Sequence, residues 1–466
     1  MIETINPATG EKLEEFEYTG GSEVDEKLER AVAAQKAWRR LSFSERGTIM
    51  SAAAKVLRSR TDELAATATR EMGKPIAQAI AEVEKCAWCC EYYAENAATY
   101  LADEIVETNA QKSYVGFRPL GIVLAIMPWN FPYWQVFRAA APALMAGNAM
   151  VLKHASNVSR SALEIESVFR QAGAPEGIFT TFLLKSDAIA GLIADNRIVA
   201  ATLTGSEGAG MSVASAAGHA LKKVVLELGG SDPFIVLADA DIDAAAKVAV
   251  RARFQNNGQS CIAAKRFIVE QSVYEDFTTK FAAAAAAQVL GDPLDQKTEL
   301  GPVARDDLRD ALAKQISASV SAGARIVTGG KAVERKGFFY EATILADVTP
   351  SMAVFREETF GPAAAVMQAE NAEHAVELAN DSNFGLGGNL WTRNIDAAQK
   401  LAATIQSGNV FINGMTASDP RLPFGGIKRS GYGRELGAFG IREFVNIQTV
   451  WIGPEKAGTA QKHGAE

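Results

Sequence analysis

The 466-residue chain predicts an α/β protein built on parallel sheets covered on both faces. Three observations carry this. Short apolar runs alternate with helical ones from about residue 111 to about 430. Those runs, such as AMVLKH, GIFTTFLL and IVAATLTGS, are apolar almost throughout, as strands buried on both faces must be. The length also exceeds what one simple core sustains, so two or three domains are expected.

Residues 23–70 show helical spacing in Val24, Leu28, Ala31, Ala34 and Trp38, then Ile49, Ala53 and Leu57. A second helical stretch covers about 75–102. From 111 to 127 the pattern turns extended, with Tyr114 to Phe117 and Gly121 to Leu124 separated by Pro119. AMVLKH then reads as a strand, SRSALEIESVFRQAG as a helix closed by Gly173, and GIFTTFLL as a strand. DAIAGLIAD reads as a helix, IVAATLTGS as a strand, AGMSVASAAG as a helix and KKVVLELGG as a strand. A second alternating block runs from FIVL at 234–237 to about 430. Its FAAAAAAQVL segment at 281–290 predicts a packed helix, alanine being the best helix former. The polar tail after Pro454 is expected to fray.

Composition excludes several function classes. Hydrophobic residues are 48% and charged ones 22%, the balance of a folded chain. A formal net charge of −8 argues against a nucleic-acid partner, which requires a basic face. No basic stretch followed by an apolar run opens the sequence, and no stretch reaches roughly 18 uncharged apolar residues. A cytoplasmic protein with neither signal peptide nor membrane span is expected.

Four cysteines are present. Cys86, Cys89 and Cys90 include a CxxC, but no second Cys or His pair completes a tetrahedral metal set, so no metal is expected. On a helix they share one face and read as small core residues. Cys261 differs. It sits in FQNNGQSCIAAKRF, a polar, glycine-containing turn before an apolar strand, where backbone N–H groups favour a thiolate. It is a candidate nucleophile, against the alternatives of a core cysteine or a protease cysteine paired with one of the four histidines. Glu227 ends the apolar run of VVLELGG, where a carboxylate would face a ligand crevice and partial burial would raise its pKa toward that of a general base. The alternative is a solvated charge at a strand end.

ELGG at 227–230, with Cys261 following Glu227 by 34 residues inside NNGQSC, resembles the two active-site signatures of the aldehyde dehydrogenase superfamily. INPATGE at 5–11, MPWNFP at 127–132, LMAGNAMVLKHAS at 144–156, TLTGS at 202–206, EETFGP at 357–362 and PFGGIKRSGYGRE at 423–435 match further family motifs in the same order. The resemblance implies that Cys261 attacks an aldehyde carbonyl to give a thiohemiacetal. Asn130, with the backbone N–H of Cys261, would hold the oxyanion, and such donors contribute about 3–4 kcal/mol each. After hydride leaves for a nicotinamide, Glu227 would activate the water that hydrolyses the thioester. Family branches that pass the acyl group to coenzyme A generally lack this glutamate.

There is no GxGxxG motif. The resemblance instead implies that Gly205 and Ser206 open a helix whose N-terminus faces the pyrophosphate. Trp129 and Asn130 would lie along the cofactor, Leu228 would meet it through its backbone, and Glu358 with Phe360 would meet the nicotinamide ribose. Lys153 would reach the adenosine ribose. Three residues on, where many NAD-preferring relatives carry Glu, stands the uncharged Ser156, so NADP is favoured and NAD remains possible.

Within the family the details resemble the short branch that oxidises succinate semialdehyde, an aldehyde with a distal carboxylate. Arg138 would grip that carboxylate bidentately and Ser418 would add a second contact. The alternative for Arg138 is a tie to a structural acid. Some semialdehyde enzymes carry a second Arg where this chain has Gln255, and some carry a second cysteine where it has Ala263. Glutarate semialdehyde, one methylene longer, costs only about 1–3 kcal/mol of discrimination, and a broad oxidiser of aliphatic aldehydes is the other alternative. A catalytically silent binding protein would have lost Cys261, Glu227 or Asn130, and all three are present. The resemblance also implies a cofactor-binding domain (1–102 and 120–227), a catalytic domain (228–440) and a small β oligomerisation arm (103–119 and 441–456) that calls for a homodimer or homotetramer. Arg138→Ala is expected to raise KM for the semialdehyde and spare simple aliphatic aldehydes; equal effects on both would remove the carboxylate grip.

Overall fold

The computed structural model describes residues 1–453, so the tail expected to fray after Pro454 and the last residues of the expected arm lie outside the described residues. Two open sheets organise the chain. The first has six strands, in the order Gly431–Tyr432, Lys223–Glu227, Ile198–Thr204, Ile122–Met127, Ala149–His154, Phe179–Phe182, all parallel except the short first one. The chain runs outward from Ile122–Met127 in one direction through two strands. It then crosses over to Ile198–Thr204 on the other side. The C-terminal ends of these two neighbours therefore form a topological switch point, where loops diverge and leave a crevice.

Helices pack on this sheet for local reasons that can be read residue by residue. Ser42 and Glu45 form a reciprocal capping box that starts the helix Phe43–Ser59. Gly73, at φ 80°, ends the helix Thr61–Met72. The long helix Ile76–Tyr100 buries Cys86, Cys89 and Cys90 in the core beside Val83 and Tyr93, so the three cysteines pack as small apolar residues.

Four residues, Leu228 to Ser231, lead from the first sheet into the strand Asp232–Val236 of the second. That seven-stranded sheet carries Ala264–Glu270, Ala363–Ala369 and Thr343–Ala346 to one side of Asp232–Val236 and Gly387–Trp391 and Asn409–Ile412 to the other, all parallel. Only its edge strand Arg325–Thr328 is antiparallel. Separate apolar clusters line the two faces, one around Phe234, Phe267 and Phe281 and one around Ile235, Ile268 and Leu390.

Two features lay outside the sequence expectations. Residues Ile2–Ile5 and Lys12–Phe16 form an antiparallel hairpin. The alanine-rich helix, Tyr274–Ala286, stops short of residue 290, because Val289 bonds through its N–H to the Glu299 carboxylate (3.0 Å) and through its carbonyl to the Glu299 and Leu300 N–H groups. A separate three-stranded antiparallel sheet joins Glu104–Ile105, Lys112–Pro119 and Val445–Ile452, and exposes Ile105, Ile447, Trp451 and Ile452.

One buried ion pair ties the helix Ile76–Tyr100 to the first sheet's crevice. Glu82 pairs with Lys74, both out of water, and its other oxygen accepts the N–H groups of Tyr133 and Trp134 (2.9 Å each) at the head of the helix Trp134–Met145. Glu82→Ala would strand the Lys74 ammonium and two helix-end donors, so a loss of about 3–5 kcal/mol is expected in denaturant titration. The double variant Glu82→Gln/Lys74→Met is expected to recover part of it, and no recovery would show that the pairing is not the source.

Candidate active site

The strand Ile122–Met127 ends at the switch point and delivers Trp129 and Asn130 into it. His154, on the neighbouring strand, holds this turn. The Ala155 N–H donates to its Nδ1 (2.9 Å), which places the ring proton on Nε2, donating to the Pro132 carbonyl at 2.8 Å. Burial lowers its pKa to about 4, so the ring is neutral and structural. Asn130 is buried and its Nδ2 donates to the Gln259 carbonyl (2.9 Å), two residues before Cys261. Asn256 completes the tie by donating to the carbonyls of Asn130 (2.7 Å) and Gln259 (3.0 Å).

The nucleophile loop is a tight, left-handed passage. Asn256, Asn257 and Gly258 have φ of 54°, 58° and 72°, a region asparagine and glycine tolerate better than other residues. A Cβ at Gly258 would also strike the Gly361 carbonyl. Asn257 donates to the carbonyls of Gly73 and Pro302 (2.8 Å each) and accepts from the Gly301 N–H (2.7 Å). Lys265 donates to the carbonyls of Ser260 (3.0 Å), Cys261 (2.9 Å) and Ala263 (3.2 Å). None of these anchors was evident in the sequence, although paired asparagines before a glycine are a left-handed turn signal.

Cys261 is partly buried. The polar turn was expected to lower its pKa. Instead burial pushes the thiol up to about 12, with Arg138 and Lys265 pulling it part of the way back. The charged neighbours that act on it are Arg138, Lys265, Glu358 and Glu227, with no histidine among them, which argues against a Cys–His protease pair. Glu227 ends its strand as expected, is almost wholly buried, and neither carboxylate oxygen has a hydrogen-bond partner among the described residues. Burial raises its pKa well above the usual carboxylate range, opposed by the charge of Arg138. In the ionised form that Arg138 favours, a carboxylate so placed can take a proton from a thiol or water.

Arg138 has partners within the protein. Its Nε edge forms an ion pair with the buried Glu435, its Nη2 donates to Thr204 Oγ1 (3.2 Å), and its plane lies over the Phe424 ring. The guanidinium expected to meet a substrate carboxylate is thus tied to a structural acid through Nε, and keeps both N–H groups of Nη1 and one of Nη2 for other acceptors. Arg138→Ala would strand Glu435 as well, so it is a poor test of substrate binding. Glu435 had no signal beyond its place in the PFGGIKRSGYGRE motif. Ser418 is buried, and its Oγ accepts from Trp134 Nε1 (3.0 Å) and from Lys85 Nζ (2.8 Å).

The expected cofactor residues ring the switch point. Gly205 and Ser206 follow the strand Ile198–Thr204, and Ser206 caps the helix Glu207–His219 by accepting the Ala209 N–H (3.4 Å). Lys153, the penultimate residue of its strand, is nearly buried, without a carboxylate partner among the described residues, and burial lowers its pKa. Ser156 is exposed three residues on. An open helix N-terminus and an unpaired cation at the edge of one crevice suit a dinucleotide phosphate. Trp129 meets Phe360 edge-on at 5.7 Å. Glu358 accepts the Gly230 N–H (3.0 Å) and pairs with Lys265 (3.4 Å), while the Leu228 N–H donates to the Ser430 carbonyl (2.9 Å). Among the described residues no group of three or more His, Cys, Asp or Glu could hold a metal ion.

Comparison with known proteins agrees with this geometry. The profile of the aldehyde dehydrogenase family matches residues 1–450. A probable NADP(+) succinate-semialdehyde dehydrogenase of Synechocystis is 55% identical over 97% of this chain and 99% of its own. The NADP(+) succinate-semialdehyde dehydrogenase 1 of Mycobacterium tuberculosis is 52% identical over 97% and 99%. The crystal structure of succinic semialdehyde dehydrogenase from Streptococcus pyogenes with NADP+ superposes with a TM-score of 0.95 at 40% identity, covering 97% of this chain and all of that one.

A thiol held near pKa 12 is protonated at neutral pH, and its reactive fraction grows as pH rises. Alkylation of Cys261 by iodoacetamide without cofactor is therefore expected to accelerate about tenfold per pH unit from 7 to 10. A plateau below pH 8 would show a thiolate already stabilised at rest.

Proposed function

The chain belongs to the aldehyde dehydrogenase family, and on that premise we propose that it oxidises succinate semialdehyde to succinate with NADP+. The observation that carries the reading is the convergence of Cys261, Glu227 and Asn130 on the switch-point crevice of the first sheet, in a chain whose relatives at 50–55% identity bear that activity in their names. Bound NADP+ supplies the hydride acceptor that takes the Cys261 adduct to the acyl level.

The chain's own residues do the rest. Glu227, unbonded and raised in pKa, receives the Cys261 proton as the sulfur attacks the aldehyde carbon. One N–H of the Asn130 amide is fixed on the Gln259 carbonyl, and its other N–H, with the backbone N–H of Cys261, meets the developing oxyanion. Once that proton has passed to solvent, Glu227 takes a proton from the water attacking the Cys261 thioester, and the C–S bond breaks to release the acid and the Cys261 sulfur. Arg138 keeps both acids and the sulfur within reach of ionisation. Lys153 and Ser156 would hold the adenosine 2′-phosphate, Ser206 and the following helix the pyrophosphate, and Glu358 with Phe360 the nicotinamide side. Ser418 and the remaining N–H groups of Arg138 would receive the distal carboxylate.

We place the domain boundaries as the sequence resemblance does, with the three-stranded sheet as the arm through which two or four copies associate. Its exposed Ile447, Trp451 and Ile452 support this, since unpartnered strands with apolar faces are otherwise prone to aggregate. Cytoplasmic residence accords with the finding that no described helix is long and apolar enough to cross a membrane.

Steady-state assays over an aldehyde panel with each dinucleotide test the reading. Succinate semialdehyde is expected to exceed butanal in kcat/KM, and NADP+ to exceed NAD+. Ser156→Glu is expected to move the preference toward NAD+, and Asn130→Ala to lower kcat by about 100- to 1000-fold. Equal use of butanal, or an NAD+ preference in the unaltered protein, would overturn the corresponding half of the proposal.

A further inference from the structure

Two lysines at the heart of the molecule have acidic partners: Lys74 has Glu82, and Lys265 has Glu358. Lys85, on the inner face of the helix Ile76–Tyr100, has none within ion-pair distance among the described residues. Its Nζ donates to Ser418 Oγ at 2.8 Å and lies 4.2 Å from the centre of the Trp134 ring. The carboxylate whose charge acts on it is Asp419, which is already held by the N–H, Nε and Nη2 of Arg421. The other cation acting on it is Arg138, whose charge opposes its own. A cation half withdrawn from water, beside a like charge and without a counterion, is costly unless an anion joins it.

Ser418 adds a second donor. Both lone pairs of its Oγ are taken, by Lys85 and by Trp134 Nε1, so its own proton is free to donate. No acceptor for that proton is present among the described residues. Lys85 and Ser418 thus form a bonded donor pair without an anionic acceptor among the described residues, within the field of Arg138.

We propose that Lys85 is a substrate-binding residue that meets the distal carboxylate of the semialdehyde directly, together with Ser418. The proposal rests on the reading of the substrate given above. It accounts for two departures from expectation: Gln255 stands where a second arginine would, and Arg138 spends its Nε edge on Glu435. The second cation comes from another helix. Lysine also brings a pH dependence that arginine would not. Burial and the Arg138 charge lower its pKa to about 8, so its charge is present below that pH and lost above it. Of the groups facing it, Arg138 stays cationic, Asp419 stays an Arg421-paired carboxylate, and the Cys86 and Cys89 thiols stay protonated because burial raises both.

The test compares KM for succinate semialdehyde with KM for butanal, whose chain has the same length and no carboxylate, from pH 6.5 to 9.5. Taking the ratio of the two cancels the titration of Cys261 and Glu227, which both substrates share. In the unaltered protein this ratio is expected to rise above pH about 8. Lys85→Met is expected to raise it about 10- to 100-fold at pH 7 and to abolish the inflection. Lys85→Arg is expected to recover most of the loss and carry the inflection beyond the range. A preference for the semialdehyde that survives Lys85→Met, or a flat ratio in the unaltered protein, would overturn the role of Lys85 and leave the proposed function standing. If the unaltered protein shows no preference at pH 7, the substrate assignment itself falls. Should Lys85→Met fail to fold, the profiles of the unaltered protein and of Lys85→Arg still decide the matter.

Discussion

The charge of Arg138, almost wholly removed from water, is the constraint on which the chemistry of this molecule depends. It acts on Glu435, Glu227 and Cys261 at once, and in each it favours the ionised form against burial. Burial raises all three, and in each Arg138 is the largest influence opposing that rise. A cation there needs a permanent partner, since an unpaired guanidinium in that position would cost several kcal/mol. Glu435 is that partner. The ion pair is thus best understood as a device for delivering positive potential to the cleft, and the geometry it imposes limits what Arg138 can offer a substrate.

The backbone shows the same economy. The nucleophile loop passes through three successive left-handed residues, and its shape is held by the side chains of Asn130, Gln78 and Lys265 and by the backbone carbonyls of Gly73 and Pro302, which accept from Asn257. Such a conformation persists only where its surroundings over-determine it. The sulfur is therefore held in place by both sheets, and the four-residue link after Glu227 keeps base and nucleophile in a common frame.

How much of this could be read in the sequence follows from the range of the interactions. The parallel sheets were legible because their signal is local: AMVLKH is buried at every position of the strand Ala149–His154, and IVAATLTGS yields Ile198–Thr204 between a crossover and a capped helix. The motifs located Cys261, Glu227 and Asn130. The partners were not legible. Lys85 and Ser418 lie 333 positions apart, and nothing around either residue anticipates the other. Arg138 followed by AAAPALMAG signalled a buried charge, but only the folded chain reveals that Glu435 neutralises it. The N-terminal hairpin was missed because one of its strands, KLEEF, alternates weakly and carries two acids. The early end of the alanine-rich helix was missed because propensity was opposed there by the remote Glu299.

The thiol illustrates why local polarity misleads. Asn256, Asn257, Gln259 and Ser260 made a solvated, activated turn the natural reading, yet all four side chains are buried and three of them are spent on backbone anchors. Their polarity serves the loop's shape and leaves the sulfur in a desolvated place. Burial raises Cys261 and Glu227 together, so it does not decide which of the two holds the proton. That ordering falls to the cations, and Lys265 reaches the sulfur's vicinity through the Cys261 carbonyl while Arg138 acts on both groups. A semialdehyde arriving with its carboxylate adds a negative charge near Arg138 and draws on the same potential that ionises the sulfur. A further cation at the far end of the substrate would offset that draw, so that binding an acidic substrate and activating the nucleophile need not compete.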